Sequence, residues 1–440
     1  MRQELTAPVR PPGFGEALRF WCKLGFISFG GPAGQIALMQ TELVERKRWI
    51  SQARFLHALN FCMLLPGPEA QQLAIYIGWL LHRTRGGIVA GALFVIPSIF
   101  VLWTLSYVYA AFGHLPSVAA IFYGLKPAVT AIIIAALLRI GRKALQNEIM
   151  WGLALAAFAA IFFLKVPFPL IVFCAGFIGL AGGRLWPEKF SVIATPESSD
   201  GGSVLGDADD SPEHTRPSTS RALRIAVTCL LLWWAPTLVA GFICGWNSTL
   251  FQEGFFFSKA AVVTFGGAYA VLPYVAQQAV SHYGWLQPGQ MMDGLGLAET
   301  TPGPLIMVVQ FVGFMGAWQH PDGLVPWLAA TLGALLTTWV TFTPCFLWVL
   351  VGGPHIERLR GNARLAAALS AVTAAVVGVI LNLAVWFALQ VFFPLGRVDW
   401  FAAGVSALTF IGILKWKWNV VAVVIGSGLL GLVYTLTLAR

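Results

Sequence analysis

Apolar runs, most of them about as long as a bilayer-crossing helix, recur along most of the chain and are separated by short polar or basic tracts. The first covers 20–40 but is interrupted at Gly30-Gly31-Pro32, so a straight spanning helix is not expected there. Residues 42–54 carry Glu42, Glu45, Arg46, Lys47, Arg48 and Arg54, which predicts an amphipathic tract at the membrane surface. Runs follow at 57–80, broken at Pro66-Gly67-Pro68, and at 87–112, 117–140, 150–165 and 168–185. Residues 186–221, with Asp207, Asp209, Asp210 and Glu213 among Ser, Gly and Pro, predict a disordered linker. A run at 222–244 reads as a joining transmembrane helix, and runs at 256–280, 292–316, 324–351, 365–393, 399–414 and 418–438 complete the chain. The pattern predicts an all-α polytopic membrane protein of about 13 segments. Its expected order is a basic leader over 1–19, an N-terminal repeat over 20–185, the linker, the joining helix and a C-terminal repeat over 255–440.

The repeat is legible at constant spacing. Phe29-Gly30-Gly31 precedes Pro66-Gly67-Pro68, and Phe265-Gly266-Gly267 precedes Pro302-Gly303-Pro304; the separation is 66 − 29 = 37 in one half and 302 − 265 = 37 in the other. The same offset of 265 − 29 = 236 carries Lys23 onto Lys259, Ser28 onto Thr264 and Trp49 onto Trp285. Ala128-Val129-Thr130-Ala131 recurs as Ala371-Val372-Thr373-Ala374 at an offset of 371 − 128 = 243. Each half therefore carries about six segments, and the single joining helix between them makes inverted copies the expectation.

Charge supports that inversion. Placing the linker in the cytoplasm also places the basic N-terminus, His82-Arg83 and Arg142-Lys143 there. In the second half it places Arg358, Arg360, Arg364, Lys415 and Lys417 on the same side, whereas the loop at 112–117 is uncharged and falls outside. The 42–54 tract is basic yet falls outside if both its neighbours span, so 20–40 or 57–80 is expected to be re-entrant.

Inverted repeats with helices broken at matching places point to a secondary transporter's substrate site. A Gly-Gly-Pro or Pro-Gly-Pro stops one helix and lets another begin, and the new N-terminus presents free N–H groups that suit an anion. The expected anion-binding set is Gly30, Gly31, Pro32, Gly34, Gln35, Pro66, Gly67, Pro68, Gln71 and Gln72 in one half, with Phe265, Gly266, Gly267, Pro302, Gly303 and Pro304 in the other. Carboxylates in apolar runs serve ion or proton pathways or pair with a base, which marks Glu69 and Glu299. Arg54, Lys23, Lys126 and Lys259 are the basic candidates for charge balance or coupling. The competing reading of the breaks is that they are packing kinks.

With 58% hydrophobic and 11% charged residues, the chain is far from the soluble average of about 25% charged. The net charge of +9 resides largely in short loops, where it sets topology rather than gripping nucleic acid. The six Cys lie in or beside apolar runs without a CxxC pair, so neither metal nor cofactor is expected. HExxH, GxSxG and P-loop motifs are missing, and the Asp209-Asp210 pair lies in the linker, which argues against a membrane protease, a prenyl-transfer enzyme or an ATPase. A channel remains an alternative, because broken inverted helices also build pores.

The runs Phe26-Ile27-Ser28-Phe29-Gly30-Gly31-Pro32, Arg48-Trp49-Ile50 and 64–79, with Thr264-Phe265-Gly266-Gly267 and Thr300-Thr301-Pro302-Gly303-Pro304, resemble the chromate ion transporter family, long two-domain type. The resemblance covers nearly all of the chain outside leader and linker. It implies efflux of chromate across a bacterial inner membrane, chromate resistance, competition by sulfate, and drive from a proton or potential gradient. Implied partners are chromate or a related oxyanion and the lipid bilayer, with a second copy of the chain as a candidate. The second Phe-Gly-Gly departs from the pattern, being followed by Ala268 where the first is followed by Pro32.

Overall fold

The computed structural model describes residues 12–29, 31–190, 213–355 and 363–437. Gly30, Arg358, Arg360 and most of the linker, including Asp207, Asp209 and Asp210, lie outside the described residues. Within them the fold is helical, with no strand. The first half contains α1 (Phe14–Ile27), α2 (Gly31–Gln40, prolonged by a π turn over Thr41–Arg46), α3 (Gln52–Leu64) and α4 (Glu69–Phe112). It continues with α5 (Pro116–Ala144), α6 (Glu148–Phe162), α7 (Phe168–Leu185) and the short α8 (Pro187–Phe190). After α9 (Thr219–Cys244), the second half holds α10 (Thr249–Val263), α11 (Ala268–Gln277, with a π turn to His282), α12 (Pro288–Thr300) and α13 (Val308–Gln319). It ends in α14 (Pro326–Gly352), α15 (Ala363–Phe392), α16 (Trp400–Lys415) and α17 (Val420–Thr437).

Seven of the described helices are long and apolar enough to cross a membrane: α4, α5, α7, α9, α14, α15 and α17. The pieces flanking the Gly/Pro breaks are too short. α1 has 14 residues and α3 has 13, about 21 and 20 Å at 1.5 Å per residue, against a hydrocarbon core of roughly 30 Å. They form re-entrant hairpins instead. Between the end of α1 at Ile27 and the π turn the chain returns to its starting level, because Lys47 Nζ lies 3.2 Å from Glu16 Oε1 and the Trp49 ring lies 5.3 Å from Phe20. α3 and the first arm of α4 repeat the excursion: Phe61 meets Tyr76 at 5.7 Å, and His82 returns to within 3.0 Å of the Pro12 carbonyl. There α4 kinks, since His82 (φ −136°, ψ 34°) and Arg83 (φ 54°) leave helical geometry, and its second arm then crosses.

The second half does the same from the other face. Trp285 packs on Phe256 at 5.9 Å, the counterpart of Trp49 on Phe20, and the Thr249 amide donates to Asp322 Oδ2 at 2.5 Å. Two contacts establish that the faces are opposite. Trp103 Nε1, far along α4, donates to Thr331 Oγ1 near the start of α14 at 3.1 Å, and a Cβ at Gly353, just past the end of α14, would lie 3.2 Å from the Trp79 ring. The second arm of α4 and α14 are therefore antiparallel, and the two pairs of hairpins enter from opposite ends of the bundle.

The structure exceeds the sequence expectation in one respect and differs at boundaries. Both 20–40 and 57–80 are re-entrant, where one was expected, so the basic 42–54 tract lies on the linker side. α1 begins at Phe14 inside the stretch read as leader, and α8, the turn Glu213–Thr215 and the start of α9 lie inside the stretch read as linker. Apolar periodicity sees a hairpin of two half-helices as one run, which is why the helical pieces outnumber the runs.

The inversion makes a direct expectation. Glu45 and its repeat counterpart Ser281 (45 + 236 = 281) are both exposed at hairpin ends. Cysteines placed at 45 and 281 should react with a membrane-impermeant maleimide from opposite sides of sealed vesicles, above the background of the parent chain. Same-side labelling would refute the topology.

Candidate functional site

The four breaks meet in two pairs. The Gly67 amide donates to the Thr264 carbonyl at 2.8 Å, and the Gly303 amide donates to the Ser28 carbonyl at 2.8 Å. These bonds are related by the repeat itself, since 67 + 236 = 303 and 28 + 236 = 264. Each Pro-Gly-Pro tip thus pairs with the Phe-Gly-Gly tip of the other half. The tips depend on backbone that favours glycine: φ is +122° at Gly67 and +93° at Gly303.

Polar side chains knit the crossing together. Gln35 Nε2 donates to the Gly303 carbonyl at 2.5 Å and the Ser28 carbonyl at 3.3 Å, and Gln72 Nε2 donates to the Pro66 carbonyl at 2.7 Å. Gln71 Nε2 reaches the Gly91 carbonyl at 3.4 Å, in the second arm of α4. Ser98 Oγ donates to the Pro302 carbonyl. Ser28 Oγ and Thr264 Oγ1 both turn back to the carbonyl four residues earlier, at 2.6 Å each. The side-chain carbonyl oxygens of Gln35, Gln71 and Gln72 are buried without a partner.

This pattern consumes carbonyls and leaves helix N-termini open. The helices that end at the crossing have acceptors engaged: Ser28 O, Thr264 O, and Ala298 O, which takes the Thr301 amide and hydroxyl. The helices that begin there, α4 behind Pro68 and α11 behind Gly267, have no side-chain cap. Their first-turn N–H groups and dipoles favour a negative group. Glu69 supplies one: as the first residue of α4 it sits beside the start of α11, with its Oε1 3.8 Å from where a Cβ on Gly267 would lie.

The remaining sequence candidates separate. Glu299, at the last turn of α12, is buried and accepts from Tyr269 Oη at 2.6 Å, next to the Gly266-Gly267 break. Gly31, Pro32 and Gly34 open α2 behind the break, Pro304 caps the short turn leading into α13, and Phe265 is half-buried beside its glycines. Lys126 is nearer the opposite face, 3.6 Å from Asp293 Oδ2 in α12, and Tyr109 Oη donates to the same oxygen at 2.9 Å. Lys23 and Lys259 face outward, the latter with its ammonium 4.5 Å from the Phe255 ring centroid, and Arg54 opens α3 at the linker side. The structure brings none of these four basic residues to the tips.

Sequence reasoning did not single out Asp293, Tyr109, Tyr269, Ser98, Cys345 or Glu253. One pair had a signal. Pro97-Ser98 and Pro344-Cys345 recur at an offset of 345 − 98 = 247, and they lie beside the Gly303 and Gly67 tips respectively. Among the described residues no cluster of His, Cys, Asp and Glu could hold a metal ion.

Comparison with known proteins places the geometry in context. Residues 15–180 and 251–432 match the family described as Chromate transporter. The chain is 32% identical to a chromate transport protein of Pseudomonas aeruginosa, over 97% of this chain and 94% of that protein. It is 27% identical to a chromate transport protein of Cupriavidus metallidurans, over 95% and 92% of the two chains. An uncharacterized transporter of Methanocaldococcus jannaschii is 26% identical, over 93% and 91%. No solved structure matches.

Proposed function

Because this chain belongs to the chromate transporter family, matched in both halves, we propose that it exports chromate from the bacterial cytoplasm across the inner membrane and so confers chromate resistance, with sulfate as competing analogue. The observation that carries the reading is the pair of reciprocal tip bonds, Gly67 to Thr264 and Gly303 to Ser28, which join the broken-helix tips of the two halves inside an apolar bundle and set the uncapped starts of α4 and α11 beside each other, next to Glu69. A tetrahedral dianion is the ligand such a site suits, and backbone donors bind it without fixing a countercharge that would hold it too tightly.

Orientation follows from loop charge. The linker side carries Arg46, Lys47, Arg48, Arg83, Arg142, Lys143 and Arg184, whereas the loops joining α6 to α7 and α15 to α16 on the other side carry Lys165 and Arg397. The positive-inside rule assigns the linker side to the cytoplasm. Export is then electrically downhill: two negative charges moving outward at roughly 2.3 kcal/mol per charge per 100 mV release about 4.6 kcal/mol. The membrane potential can drive the step without an obligatory counter-ion.

The test is uptake of labelled chromate into inverted membrane vesicles, with and without an imposed potential. Saturable accumulation that rises with potential and falls with added sulfate is expected. Flux that is linear in chromate concentration would instead describe a channel. No chromate movement by folded protein would remove the substrate assignment.

A further inference from the structure

Glu253 lies outside the tip crossing and has no role in the reading above. It is four residues into α10, about 6 Å along the helix from the Thr249 amide that Asp322 holds at the opposite face. Its side chain is 0% exposed, and neither carboxyl oxygen has a hydrogen-bond partner. The room it occupies is made by two glycines. A Cβ on Gly316 of α13 would lie 2.5 Å from Oε1, and a Cβ on Gly333 of α14 would lie 2.7 Å from Oε2, with Trp285 closing the notch beside Gly316.

The charged surroundings offer nothing to balance an ionised carboxylate. Residues 308–319, 326–344 and 233–243, on the three helices packed against this end of α10, contain no ionisable side chain. Lys259, on α10 itself, is turned to the Phe255 ring. At the end of the hairpin, His282 stacks edge-on against Tyr283, and Tyr283 stacks on Trp285. Asp322 is the ionisable group whose charge reaches Glu253, and it is of the same sign. Burying an isolated carboxylate without a partner or countercharge is strongly unfavourable, whereas the neutral acid is far cheaper to bury.

We propose that Glu253 is a proton-binding site that couples docking of the α10–α11 hairpin to proton uptake from the side opposite the linker. With the hairpin docked in the Gly316/Gly333 notch, the carboxyl carries one proton on an oxygen. When the hairpin lifts, the acid meets water at the opposite face and releases that proton to it. The same hairpin bears Thr264, the acceptor of the Gly67 amide, so lifting it also opens one of the two tip bonds. The repeats are unequal here: the counterpart of Glu253 is Ala17 (253 − 236 = 17), which is buried at the matching place in α1. Proton coupling is thereby confined to one half and one side, the side that the loop charges assign to the exterior. That last assignment rests on the orientation given above; the site itself does not.

Two measurements without any transported anion test it. Infrared spectra of the purified protein in lipid nanodiscs at neutral pH should show the C=O stretch of a protonated carboxylic acid that Glu253→Gln removes, the variant keeping the same melting temperature. Ser258, buried on the same helix, then reports hairpin lifting. Divided at each pH by the rate of a free thiol, which corrects for the thiolate fraction, the maleimide reaction rate of a Ser258→Cys protein should rise at least tenfold from acid to alkaline pH, and the same ratio should be flat with pH when Glu253→Gln is added. An acid band unchanged in Glu253→Gln would overturn the proposal, and so would a pH profile of the Ser258→Cys protein that is the same with Glu or Gln at 253.

Discussion

Gly303→Val should abolish anion transport, by about a hundredfold or more, while leaving the protein in the membrane. Misplacing a positioned group by about 1 Å costs that much in enzymes, and the tip is a positioned group of the same kind. Gly303 has φ +93°, which a β-branched residue adopts only with strain of about 1–3 kcal/mol. Its amide is the donor to Ser28 O, and any Cβ there would overlap Ser98 Oγ. The other tip is looser: at Gly67 a Cβ would meet Cys345 Sγ and Gln72 Nε2, each at 2.9 Å, and both are side-chain ends that can move. Gly67→Ala should therefore retain more activity than Gly303→Ala, and Ser98→Ala should partly rescue Gly303→Ala by removing the overlapping oxygen. Vesicle uptake normalised to folded protein, judged by fluorescence-detected size exclusion, checks all of these. Wild-type flux in Gly303→Val would sink the idea that the crossing is the translocation site.

The reason those glycines were legible in sequence is that backbone demands leave residue-type marks. A break in a membrane helix needs Gly or Pro whatever surrounds it, so the Phe-Gly-Gly and Pro-Gly-Pro tips and their shared spacing survive as strings. The direction of the chain after each break leaves a fainter mark. Whether 20–40 crosses or turns back depends on Trp49 finding Phe20, and a tryptophan 29 residues from its partner (49 − 20 = 29) does not announce the contact. Equivalence also says nothing about facing: Lys23 and Lys259 match across the repeats, yet both point outward. Asp293, Tyr109 and Tyr269 sit in helices whose composition reads as ordinary, and only packing reveals what they touch. Glu253 is the sharpest case. Unlike Glu69 and Glu299 it falls between apolar runs, in the gap from 245 to 255, where a carboxylate reads as an ordinary loop residue until Gly316 and Gly333 are seen to make its notch.

Removing one partner of the Lys126–Asp293 pair should cost stability that removing both restores. Asp293 is 3% exposed, its Oδ1 has no partner, and its Oδ2 is shared between Tyr109 at 2.9 Å and Lys126 at 3.6 Å. Lys126→Ala leaves a buried carboxylate with one neutral donor, a loss expected at about 3 kcal/mol, at the low end for buried pairs because the lysine side chain is 31% exposed. Asp293→Ala strands a lysine that can still reach water, so its cost should be smaller. In the double variant both desolvation penalties disappear, and stability should return to within about 1 kcal/mol of the parent. Thermal unfolding of the four proteins in one detergent closes the cycle. The pair also joins α5, which crosses the bundle, to α12, the descending arm of a re-entrant hairpin, so a transport defect that persists in the restored double variant would separate the two possible uses of the contact. Stability recovered with transport would make the pair a strut between the hairpin and its frame. Stability recovered without transport would make the Lys126 ammonium, 3.2 Å from where a Cβ on Gly289 would lie near the N-terminus of α12, a station on the anion's way out.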